Sequence, residues 1–240
     1  MNNASIIIIG NEILSGRTLD QNANFIAKRC SDIGIVLDEI RIIPDIQEVI
    51  KKVVINASNS HKNVFVTGGI GPTHDDITAL SIAKAFKRRL VLNKKAKILL
   101  ENHYKKSDFK LNESRMKMAY IPARASLIMN AVSAAPGFKI KNVWVMAGVP
   151  KIMQNMFINY VEPNLKKGNK IYTKDINIFK PEGDIAKFLS KLQSSMPDVE
   201  IGSYPFIKKG KPGTNIVLKA TNLKFLTSIY KELVVFKKKH

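Results

Sequence analysis

Val64-Phe65-Val66-Thr67-Gly68-Gly69-Ile70-Gly71-Pro72-Thr73-His74-Asp75-Asp76 passes from a short apolar run into a turn with three glycines and then into two adjacent acids. The apolar run reads as a strand covered on both faces. Glycine permits positive φ and lets main-chain N–H groups approach an anion, and a helix expected over 77–87 would aim its positive end at the same place. Gly68, Gly69, Gly71 and Thr73 therefore form a candidate phosphate cradle. A tight strand-to-helix turn also needs glycine on steric grounds, so the glycines alone do not separate the two readings. Asp75 and Asp76 add information. One aspartate suffices to cap a helix. Two beside a phosphate would repel it unless a hard cation lies between, and Mg²⁺ binds through one or two carboxylates plus substrate phosphates.

The flanking chain repeats a strand–helix alternation. Ser5-Ile6-Ile7-Ile8-Ile9 reads as a buried strand, and a helix over 22–34 places Ile26, Cys30 and Ile33 on one face, which makes Cys30 a core residue. A strand over 36–43 follows, then Pro44 and Asp45 opening a helix to 57. Beyond the glycine turn, the helix over 77–87 offers Ala79, Leu80 and Ala83 for burial. Helices are expected over 94–107 and 112–120, the second stopping before Pro122. Strands over 126–129 and 143–146 rejoin the sheet, and Gly148-Val149-Pro150 opens a helix whose Ile152, Met153, Met156, Phe157 and Tyr160 read as core. This order describes a parallel sheet covered by helices. In such a sheet the segment Gly10-Asn11-Glu12-Ile13-Leu14-Ser15-Gly16-Arg17-Thr18-Leu19-Asp20-Gln21-Asn22 lies at the same carboxyl-end edge as the glycine turn, where ligands bind. Glu12 supplies a further carboxylate for a cation, and Ser15, Arg17 and Asn22 are candidates for phosphate or ribose contact. Asp20 and Asn22 suit helix capping equally well.

Around Lys166-Lys167-Gly168-Asn169-Lys170 the composition shifts to charge and turn formers, which sets expected domains at 1–167 and 168–240. The second has a strand over 171–179, a helix carrying Ile185, Phe188, Leu189 and Leu192, and strands over 200–207 and 215–219 flanking Lys209-Gly210-Lys211-Pro212-Gly213. Its last helix carries Leu226, Ile229, Tyr230 and Leu233. It reads as a small α+β unit.

The 240 residues hold 39 Lys+Arg against 19 Asp+Glu, a formal charge of +20. Such an excess attracts anionic ligands. The basic residues are spread along nearly every segment, however, and no aromatic-interleaved stripe accompanies them. A solvated lysine-rich surface is expected, with no specific nucleic-acid partner. Cys30 is alone and cannot form an internal disulfide, while His61, His74, His103 and His240 lack zinc-ligand spacing. The run Ile6-Ile7-Ile8-Ile9 is too short for a signal peptide or membrane span, so a cytoplasmic protein without a membrane partner is expected.

Several motifs together resemble the amino-terminal family of the competence/damage-inducible CinA proteins. They are Ile9-Gly10-Asn11-Glu12-Ile13-Leu14-Ser15-Gly16-Arg17-Thr18 with Asp20 and Asn22, the glycine turn through Asp75-Asp76, Asn112-Glu113-Ser114-Arg115, Ala135-Pro136-Gly137-Phe138, Gly148-Val149-Pro150 and Ile201-Gly202-Ser203-Tyr204-Pro205. The resemblance implies a three-layer α/β/α sandwich of MoaB/Mog (molybdopterin-binding) type with a mostly parallel sheet. It implies a metal-dependent pyrophosphatase acting on ADP-ribose- or FAD-like nucleotides, in which Asp75 and Asp76 are metal-holding or catalytic carboxylates and Arg115 meets an anionic ligand. The metal would be Mg, Mn or Co, held by Glu12, Asp75 and Asp76. A pterin such as molybdopterin is the other ligand implied, taken up by a non-catalytic binder or by an enzyme transferring AMP to it, and relatives of this kind form homo-oligomers. Met146-Ala147-Gly148-Val149-Pro150 departs from the family's Pro-Gly-Pro-Pro pattern. No counterpart of the family's deamidase domain is expected.

Overall fold

A computed structural model describes residues 2–239, so His240 lies outside the described residues. The chain divides into two compact units, one of residues 2–31 and Ile35–Gly168, the other of Asp32–Gly34 and 169–239.

The first unit runs β1 (Asn3–Ile9), α1 (Asn11–Leu14), α2 (Asn22–Asp32), β2 (Val36–Ile43), α3 (Gln47–Ser60), β3 (Asn63–Thr67) and α4 (Thr78–Ala85). It continues through β4 (Leu90–Leu92), α5 (Lys94–Tyr104), α6 (Glu113–Met116), β5 (Tyr120–Pro122), β6 (Ser126–Ile128), β7 (Gly137–Ile140), β8 (Val143–Met146) and α7 (Pro150–Met156). Six strands form one sheet in the order β2-β1-β3-β8-β7-β6. The first four are mutually parallel, and β7 and β6 add antiparallel pairs at one edge. This is the expected mixed α/β fold around a mostly parallel sheet.

Its centre explains the apolar runs. Ile6, Ile7, Phe65 and Val66 are fully buried, because β1 and β3 are flanked by strands and covered on both faces. Each such side chain stabilises the fold by roughly 2 kcal/mol. The chain goes from β1 outward to β2, then returns across β1 to β3 and continues the other way. The carboxyl ends of β1 and β3 therefore flank the point where the winding reverses, and their loops diverge to leave a crevice.

Four local expectations change. The helix expected over 112–120 ends at Met116; a 3-10 turn covers Lys117–Ala119, and Tyr120–Pro122 pairs antiparallel with Leu90–Leu92. Pro122 disfavours helical geometry at Ile121, and the β4 edge offers the backbone an alternative set of hydrogen bonds. Asp45 does not open α3, which begins at Gln47 with Ile46 as its cap. The buried face of α4 is Thr78, Ser81, Ile82 and Ala83, whereas Leu80 is 38% exposed. Gly137–Ile140, quoted above only as a motif, is a sheet strand, and a side chain at Gly137 would strike the Val145 carbonyl.

Cys30 is fully buried, and burial, with a contribution from Glu162, pushes its thiol up to about 12. A thiol so protonated is inert.

The second unit comprises β9 (Tyr172–Ile178), α8 (Glu182–Ser195), β10 (Glu200–Lys208), β11 (Lys211–Ala220) and α9 (Leu223–Lys239). Its antiparallel sheet has the order β10-β11-β9. Ile176, Ile178, Ile216 and Leu218 on one face pack against Ile185, Leu189 and Leu192 of α8 and Leu226, Ile229 and Leu233 of α9. Alternation along β11 is strict from Thr214 to Ala220, as a sheet covered on one side requires. No helix among the described residues is long and apolar enough to cross a membrane.

Candidate functional site

Four strand-end loops of the first unit meet around one cavity of about 510 Å³. Gly10 and Glu12 follow β1, Asp45 follows β2, Gly68 to Asp76 follow β3, and Ala147 to Ile152 follow β8. Tyr104, Met118, Asn130 and Ser133 form the opposite wall.

Backbone packing sets the glycine turn. Gly68 has φ +101°, and a Cβ there would collide with the Ile9 carbonyl; Gly69 has φ +66°, and its Cβ would collide with the Thr78 hydroxyl. Both glycines are thus required by sterics, whatever binds. The Gly68 amide donates to the Met146 carbonyl at 3.2 Å, which takes it out of the expected cradle. Among the described residues no protein acceptor takes the amides of Gly69, Ile70 and Gly71. The hydroxyls of Thr67 and Thr78, at the two ends of the turn, are buried without partners.

The acids do not cap the helix that follows. α4 has no side-chain cap; instead Asp76 Oδ2 accepts the Thr73 amide at 2.8 Å and the Thr73 hydroxyl. Asp75 is exposed. It is held below the ordinary carboxylate range, first by the Thr73 hydroxyl, then by its own amide, with His74 assisting.

Asp45 belongs to this group and was missed by pattern reading, since Pro44-Asp45 after a strand looks like a helix start. The Asn11 amide donates to its Oδ2 at 2.9 Å. Burial raises its carboxyl above the ordinary 3.8, and the charges of Glu12, Asp75 and Asp76 push the same way against the Asn11 bond. The mutual repulsion is itself a mark of proximity.

Other expected site residues fall elsewhere. Ser15 is exposed and donates to the Glu12 carbonyl at 3.2 Å, closing its own turn; it does not line the cavity. Asn22 is buried, and its amide donates to the Gly148 carbonyl at 2.7 Å, so it ties α2 to the loop after β8. Asp20, not Asn22, caps α2 by accepting the Ala23 amide at 2.8 Å. Arg115 donates to the Lys110 carbonyl and lies 5.2 Å from the Tyr104 ring and 5.4 Å from the Phe109 ring. With Thr73, His74 and Lys117 it lines a neighbouring hollow rather than the acid-lined cavity.

Among the described residues no Lys, Arg or His lines the main cavity. A bare phosphate would meet repulsion from four carboxylates there. Among the described residues no three His, Cys, Asp or Glu side chains come together as a ready-made ligand set. The hard oxygens of Glu12, Asp45, Asp75 and Asp76 nonetheless suit Mg²⁺, Mn²⁺ or Co²⁺ held by one or two carboxylates and completed by water and a ligand's phosphate.

An open parallel sheet with a reversal of winding, a glycine turn and a cavity at its strand ends places the first unit among α/β proteins that take small ligands at that edge. Residues 5–167 match the family described as "Probable molybdopterin binding domain", and the chain belongs to that MoaB/Mog-type family. Residues 170–238 match the family described as "FAD synthase, middle domain". A protein of Archaeoglobus fulgidus is 40% identical over 211 residues, covering 87% of this chain and 86% of its own length. A Pyrococcus abyssi protein is 36% identical over 200 residues, covering 78% and 79%. The solved structure of a CinA protein of unknown function from Thermoplasma acidophilum is similar, with 34% identity, a TM-score of 0.61, and coverage of 65% of this chain and 94% of that one.

Proposed function

We propose that the cavity binds a pterin- or nucleotide-type phosphate ligand and hydrolyses a nucleotide pyrophosphate of the ADP-ribose or FAD kind with a divalent metal. One observation carries the reading: Glu12, Asp45, Asp75 and Asp76 line the same cavity as the unengaged amides of Gly69, Ile70 and Gly71. The amides would hold phosphate oxygens and stabilise charge added to them. A bound cation would neutralise the diphosphate that the acids otherwise repel. Asp45, whose carboxyl is already raised, is the acid best suited to accept a proton from an attacking water. The description of the family matched by the second unit supports a flavin-nucleotide substrate.

The test is incubation of the full chain with ADP-ribose or FAD and Mg²⁺, Mn²⁺ or Co²⁺. AMP release that falls at least about 100-fold in Asp76→Asn is expected; no turnover with any metal, or full turnover in the variant, sinks the hydrolase. A second reading, a non-catalytic pterin binder, draws on the unassembled ligand set. Acids without a cation suit a ligand rich in N–H donors, and metal-independent pterin binding without turnover would favour it.

A further inference from the structure

The second unit carries a feature that the cavity does not use. α8 and α9 cover one face of its sheet; the other is open and bears aromatic rings distant in sequence. Phe179 is 52% and Tyr204 54% exposed. Phe179 meets Phe206 edge to face at 5.6 Å. Phe206 pairs with Gly213 across the ladder, and Tyr204 pairs with Asn215, which pairs in turn with Asn177. Two glycines let these rings lie along the sheet: a side chain at Gly213 would strike the Phe206 ring, and one at Gly202 would come within 3.0 Å of the Tyr204 ring. The rings share one face, and their outer surfaces stay open.

Charge surrounds them. From Asn169 onward the chain has fourteen lysines, no arginine and six acids. Lys208 pairs with Lys211 at the hairpin tip beside the Phe206–Gly213 row, with Lys209 between them. Three of the six acids are engaged within the unit: Asp175 accepts from Asn215 at 3.1 Å, Glu200 pairs with Lys219 at 3.1 Å, and Glu182 accepts from Ser203. Among the described residues no carboxylate pairs with Lys208, Lys209 or Lys211, which stand at the hairpin tip beside the rings.

We infer that this sheet face binds single-stranded nucleic acid, its bases stacking on Tyr204 and Phe179 and its phosphates meeting Lys208, Lys209 and Lys211. Rings on a sheet stack any base, and lysines neutralise the backbone without reading sequence. The sequence spacing hid the platform because its rings come from two strand ends that only the antiparallel register brings together. An anionic membrane is the competing partner for a basic apolar surface. It would favour side chains projecting from the tip, where Ile207, 80% exposed, stands as a lone aliphatic.

The experiment is fluorescence anisotropy of the full chain with a labelled thymidine oligonucleotide of about 12 nucleotides, against a matched duplex and phosphatidylserine vesicles. Tyr204→Leu and Phe179→Leu are each expected to weaken single-strand binding roughly tenfold. The triple change of Lys208, Lys209 and Lys211 to Gln should lower the slope of log affinity against log salt by about 2, while Lys94→Gln with Lys95→Gln leaves it unchanged. Ring variants that bind like the parent, an equal loss in the Lys94/Lys95 control, or uptake by vesicles with none by the oligonucleotide would each overturn the inference. If a leucine variant melts early, the exposed-hairpin lysine variant against its control decides the matter.

Discussion

The loops after β1 and β3 leave the same sheet edge from adjacent strands, yet they meet the cavity differently. The β3 loop lines it continuously from Gly68 to Pro72 and again at Asp75 and Asp76, whereas the β1 loop contributes only Gly10 and Glu12 before turning away. The β3 loop is pinned by collisions and by Thr73–Asp76 bonds, so its backbone faces inward. The β1 loop folds into the short α1, which spends Ser15 on its own turn and carries Arg17 into solvent. Polar residues at a sheet edge become site residues only where the backbone path between them is constrained.

Breaking the β3 loop should have the largest effect. Gly68→Ala adds a strained φ to a collision with the Ile9 carbonyl, and about 3–5 kcal/mol of stability should be lost, read from urea unfolding. A loss below about 1 kcal/mol would mean the turn is slack. Next is Asn22→Ala, which leaves the Gly148 carbonyl without its donor. About 1–3 kcal/mol is expected in the same measurement, with ligand affinity falling only as far as the loop after β8 loosens.

Asp45→Asn sharpens the contrast with opposite sign. The folded chain holds the Asp45 proton more tightly than the unfolded chain does, because burial and then the neighbouring acids raise its carboxyl above 3.8. The charged form therefore destabilises the fold above the ordinary carboxylate range, and that penalty vanishes as pH falls below 3.8. The amide keeps an oxygen for the Asn11 N–H. Melting should rise near neutral pH and stay unchanged in strong acid, while ligand binding is lost; an equal shift at both pH values would assign the effect to packing. Ser15→Ala completes the series, with stability within about 0.5 kcal/mol of the parent and unchanged ligand affinity by calorimetry.

Much of the first unit was legible because its signals are local. Ile6 to Ile9 and Val64 to Val66 are β-branched or aromatic runs that burial on both faces demands, and the strand bounds at Val36–Ile43 and Val143–Met146 follow from equally local patterns. β4 and β7 were not legible: Leu90–Leu92 follows directly on the basic run Lys87-Arg88-Arg89, and Gly137 and Lys139 interrupt in Gly137–Ile140 the apolar run that Val143–Met146 keeps. Of β5 only Tyr120 falls within the helix expected over 112–120; Ile121 and Pro122 lie beyond its expected stop. In the candidate site, the glycine turn and Glu12 were visible as motifs. Asp45 was not, since a proline–aspartate pair after a strand announces a helix start.

By itself the amino-acid sequence determined the alternation of strands and helices, the turn that only glycine can occupy, and the family to which these motifs belong. Those properties depend on backbone sterics and on the periodicity of apolar residues, which a chain carries before it folds. Tertiary structure alone decided that Asp45 faces Glu12, that Arg115 turns to Tyr104 and Phe109, and that Tyr204 shares a sheet face with Phe179. Each depends on which strands become neighbours and in what register, and that is settled by the burial of the whole core.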